Sequence, residues 1–111
     1  MKQKVCLTEC IHYITDIPKE ELNEAIYWKN NWPFDWVKNT FSLVEKYWFK
    51  IKELDKSKWQ CIAILDKYKW DKITKKWAHA VIWNSWIELN PYAINIENYR
   101  PSYFWKIVKD N

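Results

Sequence analysis

The chain has 111 residues and a net charge of +4, with 49% hydrophobic and 29% charged residues. That balance fits one globular domain and excludes both a disordered chain and room for a second domain of similar size. No apolar run is long enough for a membrane span and the lysine-bearing start lacks the apolar segment of a signal peptide, so a soluble protein of a reducing cytoplasm, with no membrane partner, is expected.

The first predicted element is a helix from Val5 to Ile14 with Cys6 in its first turn. A thiol there meets unpaired backbone N–H groups and the positive end of the helix dipole, which favour thiolate over thiol. Cys10 follows one turn later on the same face, among Ile11, Tyr13 and Ile14, where apolar surroundings raise a thiol's pKa. Side chains one turn apart have Cβ atoms about 5–6 Å from each other, too far for the roughly 3.8 Å of a disulfide. The three cysteines also lack metal-ligand spacing, so free thiols and no metal or cofactor are expected.

Pro18 suits the first position of a second helix that runs to about Tyr27, with Glu20 and Glu21 in its first turn. Lys29 to Phe34 reads as a loop, and Asp35 as the cap of a third helix whose Val37, Phe41, Val44 and Tyr47 form an apolar stripe. From Phe49 the period changes: Phe49–Lys52 alternates as a strand, and Cys61–Leu65 is the continuous apolar run of a central strand. Asp66 to Lys76 reads as a solvated, lysine-rich hairpin loop. Ala78–Trp83 and Ile87–Leu89 then flank Asn84-Ser85, and Phe104–Val108 adds a last strand. Helices followed by antiparallel strands make an α+β fold, with the N-terminal helices packed on the sheet.

Ten tryptophans and no glycine are the anomaly of the composition, since average usage would give roughly eight glycines in this length. Trp32, Trp48, Trp70 and Trp86 fall at helix ends and turns, where positive φ is easy for glycine and costly for a bulky residue. These positions point to a source that reads UGA as glycine, with most tryptophans standing for glycine and Trp105, which fits an apolar strand, the expected exception. Taken at face value, the same aromatics interleaved with lysines would suit stacking on nucleobases or sugars.

Chemistry converges on three residues. If Asn84 and Ser85 form a two-residue loop, Trp83 pairs with Trp86 and, four residues back on each strand, His79 pairs with Asn90. Asn90 would then hold one nitrogen of the His79 ring while the other faces Cys6 on the packed helix, giving nucleophile, base and orienter. This requires the start of the helix to lie against the face that carries His79, because a thiol and an imidazole separated by the sheet cannot act together. His12, the competing histidine, shares the short helix with Cys6 and is expected to face core or solvent.

The stretch from Cys6 through Cys10 to Ile17-Pro18-Lys19-Glu20-Glu21, with the later Trp77-Ala78-His79-Ala80-Val81 and Asn90-Pro91, resembles papain-like cysteine peptidases of the bacteriocin-processing (double-glycine leader) type and related small bacterial and phage proteins. The resemblance implies a papain-like fold and a cysteine peptidase that hydrolyses peptide bonds, with Cys6 as nucleophile, His79 as base, Asn90 in place of the group's usual Asp, and Gln3 as oxyanion-hole donor. A monomer acting on a peptide or protein substrate, with no nucleic-acid partner, follows as the expectation. A papain-like module that binds peptides without cutting them is the alternative.

Overall fold

The structure is a computed structural model that describes residues 6–27, 33–54 and 59–109. Three helices, α1 (Cys6–Thr15), α2 (Lys19–Tyr27) and α3 (Pro33–Lys46), precede five strands: β1 (Phe49–Leu54), β2 (Cys61–Lys69), β3 (Lys72–Trp83), β4 (Ile87–Leu89) and β5 (Tyr99–Lys109). The strands form one antiparallel sheet in the order β1-β5-β2-β3-β4. The fold is therefore α+β.

Alternation along the strands divides the sheet into two faces. Ile62, Ile64, Ala80, Ile82, Trp105 and Ile107 pack with Leu7, Cys10, Ile11, Ile17, Leu22 and Val44 from the helix side. The other face carries Ala63, Leu65 and Val81, against which Trp83, Ile96, Tyr99 and Phe104 lie. Cys61 is buried, as core packing predicts.

The turn between α1 and α2 shows why the first helix stops where it does. Asp16 takes φ 61° while its N–H donates to the His12 carbonyl at 2.8 Å, a left-handed helix end. His12 closes the turn, with Nδ1 donating to the Ile17 carbonyl at 2.8 Å, and Thr15 Oγ donates back to the Ile11 carbonyl at 2.7 Å. This assigns the competing histidine a structural place.

Several boundaries differ from the sequence reading. The third helix starts at Pro33 rather than at Asp35, because proline's fixed φ suits the first helical position; Tyr47 falls beyond its end and is exposed. The expected loop at 66–76 is instead ladder on both sides of a two-residue turn, with Lys67↔Lys75 and Lys69↔Lys72 paired. Trp70 (φ 56°) and Asp71 (φ 63°) form that turn, the doubly positive pattern of a type I′ hairpin. The last strand is also longer, beginning at Tyr99.

Trp48 (φ 68°), Trp70 and Trp77 (φ 51°) all lie in the left-handed region, at roughly 1–2 kcal/mol for each L-residue with a Cβ. Trp48 and Trp70 are 72% and 86% exposed, so burial offsets little of that cost. At Trp86 the expectation fails, for the positive φ belongs to Ser85 instead; Trp32 lies outside the described residues. Trp105 is buried in the helix-side core.

Candidate functional site

The site forms where α1 meets the rim of the sheet. β4 pairs with β3 at Ile82↔Leu89 and Trp83↔Ile87, and the chain then turns away through Asn90 and the single 3-10 turn Pro91–Ala93. The edge of β3 beside Ala80 is thus not taken by β4. Cys6, the first residue of α1, occupies it: the Ala80 N–H donates to Cys6 Sγ at 3.2 Å. Adjacent Cα atoms are about 3.8 Å apart, so the thiol docks one residue from His79.

His79 is buried and its Nε2 lies 2.6 Å from Asn90 Oδ1. The direction of that bond follows from the rest of the network. Asn90 Nδ2 lies 2.7 Å from the Ile94 carbonyl, which can only accept, so the amide nitrogen faces Ile94 and Oδ1 faces the ring. An amide oxygen can only accept in turn. The proton therefore sits on Nε2, and Nδ1 of the neutral ring holds the free lone pair, as a general base requires.

Asn90 is fixed by more than one bond. Pro91 is buried, and Tyr92 Oη donates to Glu9 Oε1 at 3.2 Å, which ties the 3-10 turn to α1. Glu9 also pairs with Lys19 at 2.8 Å, and the hydrogen bond from Lys19, more than its charge, holds the carboxyl below its ordinary range. One carboxylate thus joins α1, the start of α2 and the turn that carries Asn90.

Two expectations need correction. The hairpin loop is longer than two residues: Trp83 pairs with Ile87 rather than Trp86, the Asn84 N–H donates to the Trp86 carbonyl at 2.8 Å, and an irregularity follows before Ile82↔Leu89. His79 and Asn90 nevertheless meet, through their side chains. The helix also does not lie on the face that carries His79. Pairing with Leu65 sets His79 on the face away from the helices, with Tyr99 6.3 Å from its ring. Cys6 sits instead at the rim of β3, where its thiol accepts the Ala80 N–H and packs against the helix-side core, so the expected placement on the ring's face is not met.

The electrostatics also differ from the expected prepared thiolate. Burial pushes the Cys6 thiol above its ordinary value, while the N–H groups of Ala80, Leu7 and Cys6 itself, and the charge of Lys75, pull against it. Burial likewise lowers the His79 imidazole, partly opposed by the bond to Asn90. Both shifts favour the uncharged forms, thiol and neutral imidazole, at neutral pH. Cys10, one turn deeper and fully buried, is pushed up further by burial and by Cys6 and Glu9, in the direction its apolar surroundings predict.

The N–H groups of Cys6 and Leu7 at the start of α1 are the donors this geometry offers an oxyanion. Gln3, expected in that role, lies outside the described residues. Among the described residues, no group of three His, Cys, Asp or Glu side chains converges as a metal site needs, and no helix is long and apolar enough to cross a membrane. Comparison with family models, curated proteins and solved structures finds no match.

Sequence reasoning misses two buried or bridging carboxylates of the sheet and its surroundings. The first is Glu9, whose reach to Tyr92 depends on the 3-10 turn. The second is Asp66, which reads as part of a solvated loop but is 5% exposed and bonds the Trp77 N–H and the Ser102 hydroxyl. An acid closing an apolar run, Cys61-Ile62-Ala63-Ile64-Leu65-Asp66, was the available signal.

Proposed function

We propose that the chain is a papain-like cysteine hydrolase of peptide amide bonds, with Cys6, His79 and Asn90 as its triad. One observation carries the reading: the Nε2-protonated ring of His79, held by Asn90 at 2.6 Å, stands next in the chain to the residue whose N–H touches Cys6 Sγ. In the reaction, Nδ1 of His79 takes the thiol proton as Sγ bonds to the substrate carbonyl carbon, and the carbonyl oxygen becomes an oxyanion facing the N–H groups of Cys6 and Leu7. Collapse breaks the C–N bond, and the imidazolium gives its proton to the leaving amine. Water then attacks the thioester, passing a proton to Nδ1, and the thiol leaves with that proton restored. Asn90 keeps the ring in the productive tautomer throughout.

Substituting the three residues tests the assignment on a peptide library. Cys6→Ala and His79→Ala abolish hydrolysis, Asn90→Ala reduces it less, and Cys10→Ala leaves it in place at a packing cost of about 1–3 kcal/mol. Hydrolysis that survives Cys6→Ala and disappears with Cys10→Ala contradicts the assignment.

The elevated thiol of Cys6 favours a second reading, a papain-like module that binds peptides without cutting them. Under it, Cys6 would react with alkylators no faster at neutral pH than a buried thiol does. The tryptophans bear on a third reading, stacking of nucleobases or sugars. Trp48, Trp70 and Trp77 stand where the backbone asks for glycine, which supports UGA read as glycine in the source and takes away the aromatic surface that stacking needs.

A further inference from the structure

We propose that Asp66 is a positioning residue for His79, its carboxylate clamping two bulges of the sheet so that the imidazole reaches Asn90 at the rim; this rests on the triad reading above. Along β2 and β3 the ladder runs in step from Cys61↔Trp83 to Leu65↔His79 and then jumps to Lys67↔Lys75. Between those pairs β2 contributes Asp66 alone, whereas β3 contributes Lys76, Trp77 and Ala78. A second break lies on the other side of β2, where Ile64↔Tyr103 is followed by Leu65↔Pro101 and Ser102 is the extra residue of β5.

Asp66 engages both irregularities. Its Oδ1 accepts the Trp77 N–H at 2.5 Å and its Oδ2 accepts the Ser102 hydroxyl at 2.6 Å. The first bond satisfies an N–H that the bulge takes out of the ladder, at a residue with φ 51°. The second fixes the extra residue of the neighbouring strand. Bulges re-aim side chains and terminate regular pairing. The one at Trp77 ends at Ala78, next to His79, so the bulge sets where the base enters the strand. The bond from Trp77 comes from its backbone, so it is the same whether the native residue there is tryptophan or glycine.

A carboxylate is suited to this place because it can accept from two directions at once. Alanine would remove both acceptors of the clamp and leave the bulge free to relax. Asparagine would keep both bonds, accepting the Trp77 N–H with Oδ1 and donating to Ser102 Oγ with Nδ2. Charge is therefore dispensable and geometry is not.

The experiment compares Asp66→Ala, Asp66→Asn and Ser102→Ala by two readouts: ¹⁵N NMR of the His79 imidazole, and the rate of Cys6 alkylation by iodoacetamide at pH 7. In the parent protein and in Asp66→Asn, the ring shows the Nε2-protonated form with a proton protected by Asn90. Asp66→Ala loses that protection and slows alkylation on the order of 10-fold to 100-fold, close to the rate of His79→Ala. Ser102→Ala, which removes half of the clamp, falls between them and covers the case in which Asp66→Ala does not fold. An unchanged His79 signature in folded Asp66→Ala, or in Ser102→Ala if the former is unfolded, overturns the proposal. So does loss of the signature in Asp66→Asn. The NMR arm reads His79 positioning whether or not Cys6 cuts peptides, so failure of the hydrolase reading shows separately, as alkylation of the parent protein indifferent to His79→Ala.

Discussion

The inner and outer halves of the β2–β3 hairpin share one ladder and are held by different forces. Inside, Cys61 to Leu65 and Ala80 to Ile82 are buried, and both faces of the sheet are covered. Outside, lysine stands directly opposite lysine twice, at Lys67↔Lys75 and Lys69↔Lys72, an unfavourable arrangement. The outer ladder is held instead by its tight turn, by Arg100 paired with Asp71 at 2.7 Å, and by the guanidinium 4.6 Å from the Tyr68 ring. Strand pairing thus persists beyond the core where a turn and a few local contacts fix it. The junction between the halves is the bulge at Asp66, and His79 is the first inner residue of β3 to pair after it.

The largest expected effects contrast two places: the core that the inner half shares with Trp105 of β5, and the outer turn at Trp70. Trp105→Gly removes a ring that packs against Phe41 at 4.9 Å and Trp77 at 5.4 Å, and urea unfolding should show a loss of about 3–5 kcal/mol. Trp70→Gly at the outer turn removes a positive-φ cost with almost no buried area and should gain about 1 kcal/mol. Similar losses at both sites would break the comparison. The same contrast sharpens the reading of the code: intact mass of the protein from its source should correspond to glycine at 48, 70 and 77, and a mass equal to the printed sequence would end that idea.

A smaller effect concerns pH and belongs to the inner half. The His79 imidazole is lowered from 6.5, so the unfolded chain binds its proton more readily. The stability this represents is present above pH 6.5 and is lost as pH falls through the folded value. Cys6 and Cys10 are raised from 9.0, so their contribution is present below pH 9.0 and is lost as pH rises through the folded values. Urea midpoints should therefore form a plateau between these limits. His79→Gln should flatten the acid side and Cys10→Ala the alkaline side. Glu9, held below 4.5 by Lys19, acts only at lower pH. An acid limb unchanged by His79→Gln would contradict the burial argument.

What could be read from the residues was whatever local periodicity controls. The helices around Cys10-Ile11 and Phe41-Val44, the inner strands and the α+β class follow from apolar spacing. So does the meeting of His79 with Asn90, because a short hairpin brings its arms together despite a register error. The rest depends on contacts distant in sequence. Nothing near Asp66 shows that Ser102 closes its second oxygen, and nothing near Cys6 shows that β4 stops short and leaves the Ala80 N–H for the thiol. The expected thiolate came from the helix start alone, whereas the thiol's state depends on how deeply the rim buries it. The bulge escapes for a related reason: the lysine-rich run Lys72-Ile73-Thr74-Lys75-Lys76 looks like a solvated loop until its partner strand is in place.

The measurement that tests the triad most directly is the pH dependence of Cys6 alkylation, followed by peptide mass spectrometry, in the parent protein and in His79→Ala. With neutral His79 as base, Cys6 should react at pH 7 well ahead of Cys10 and Cys61, and its rate should fall as pH drops through the lowered imidazole value. In His79→Ala that neutral-pH reactivity should vanish, leaving a rate that climbs only above pH 9.0, the ordinary thiol value from which burial displaces Cys6 upward. Cys6 labelling no faster than Cys10, or a profile that does not change with His79→Ala, would contradict the account.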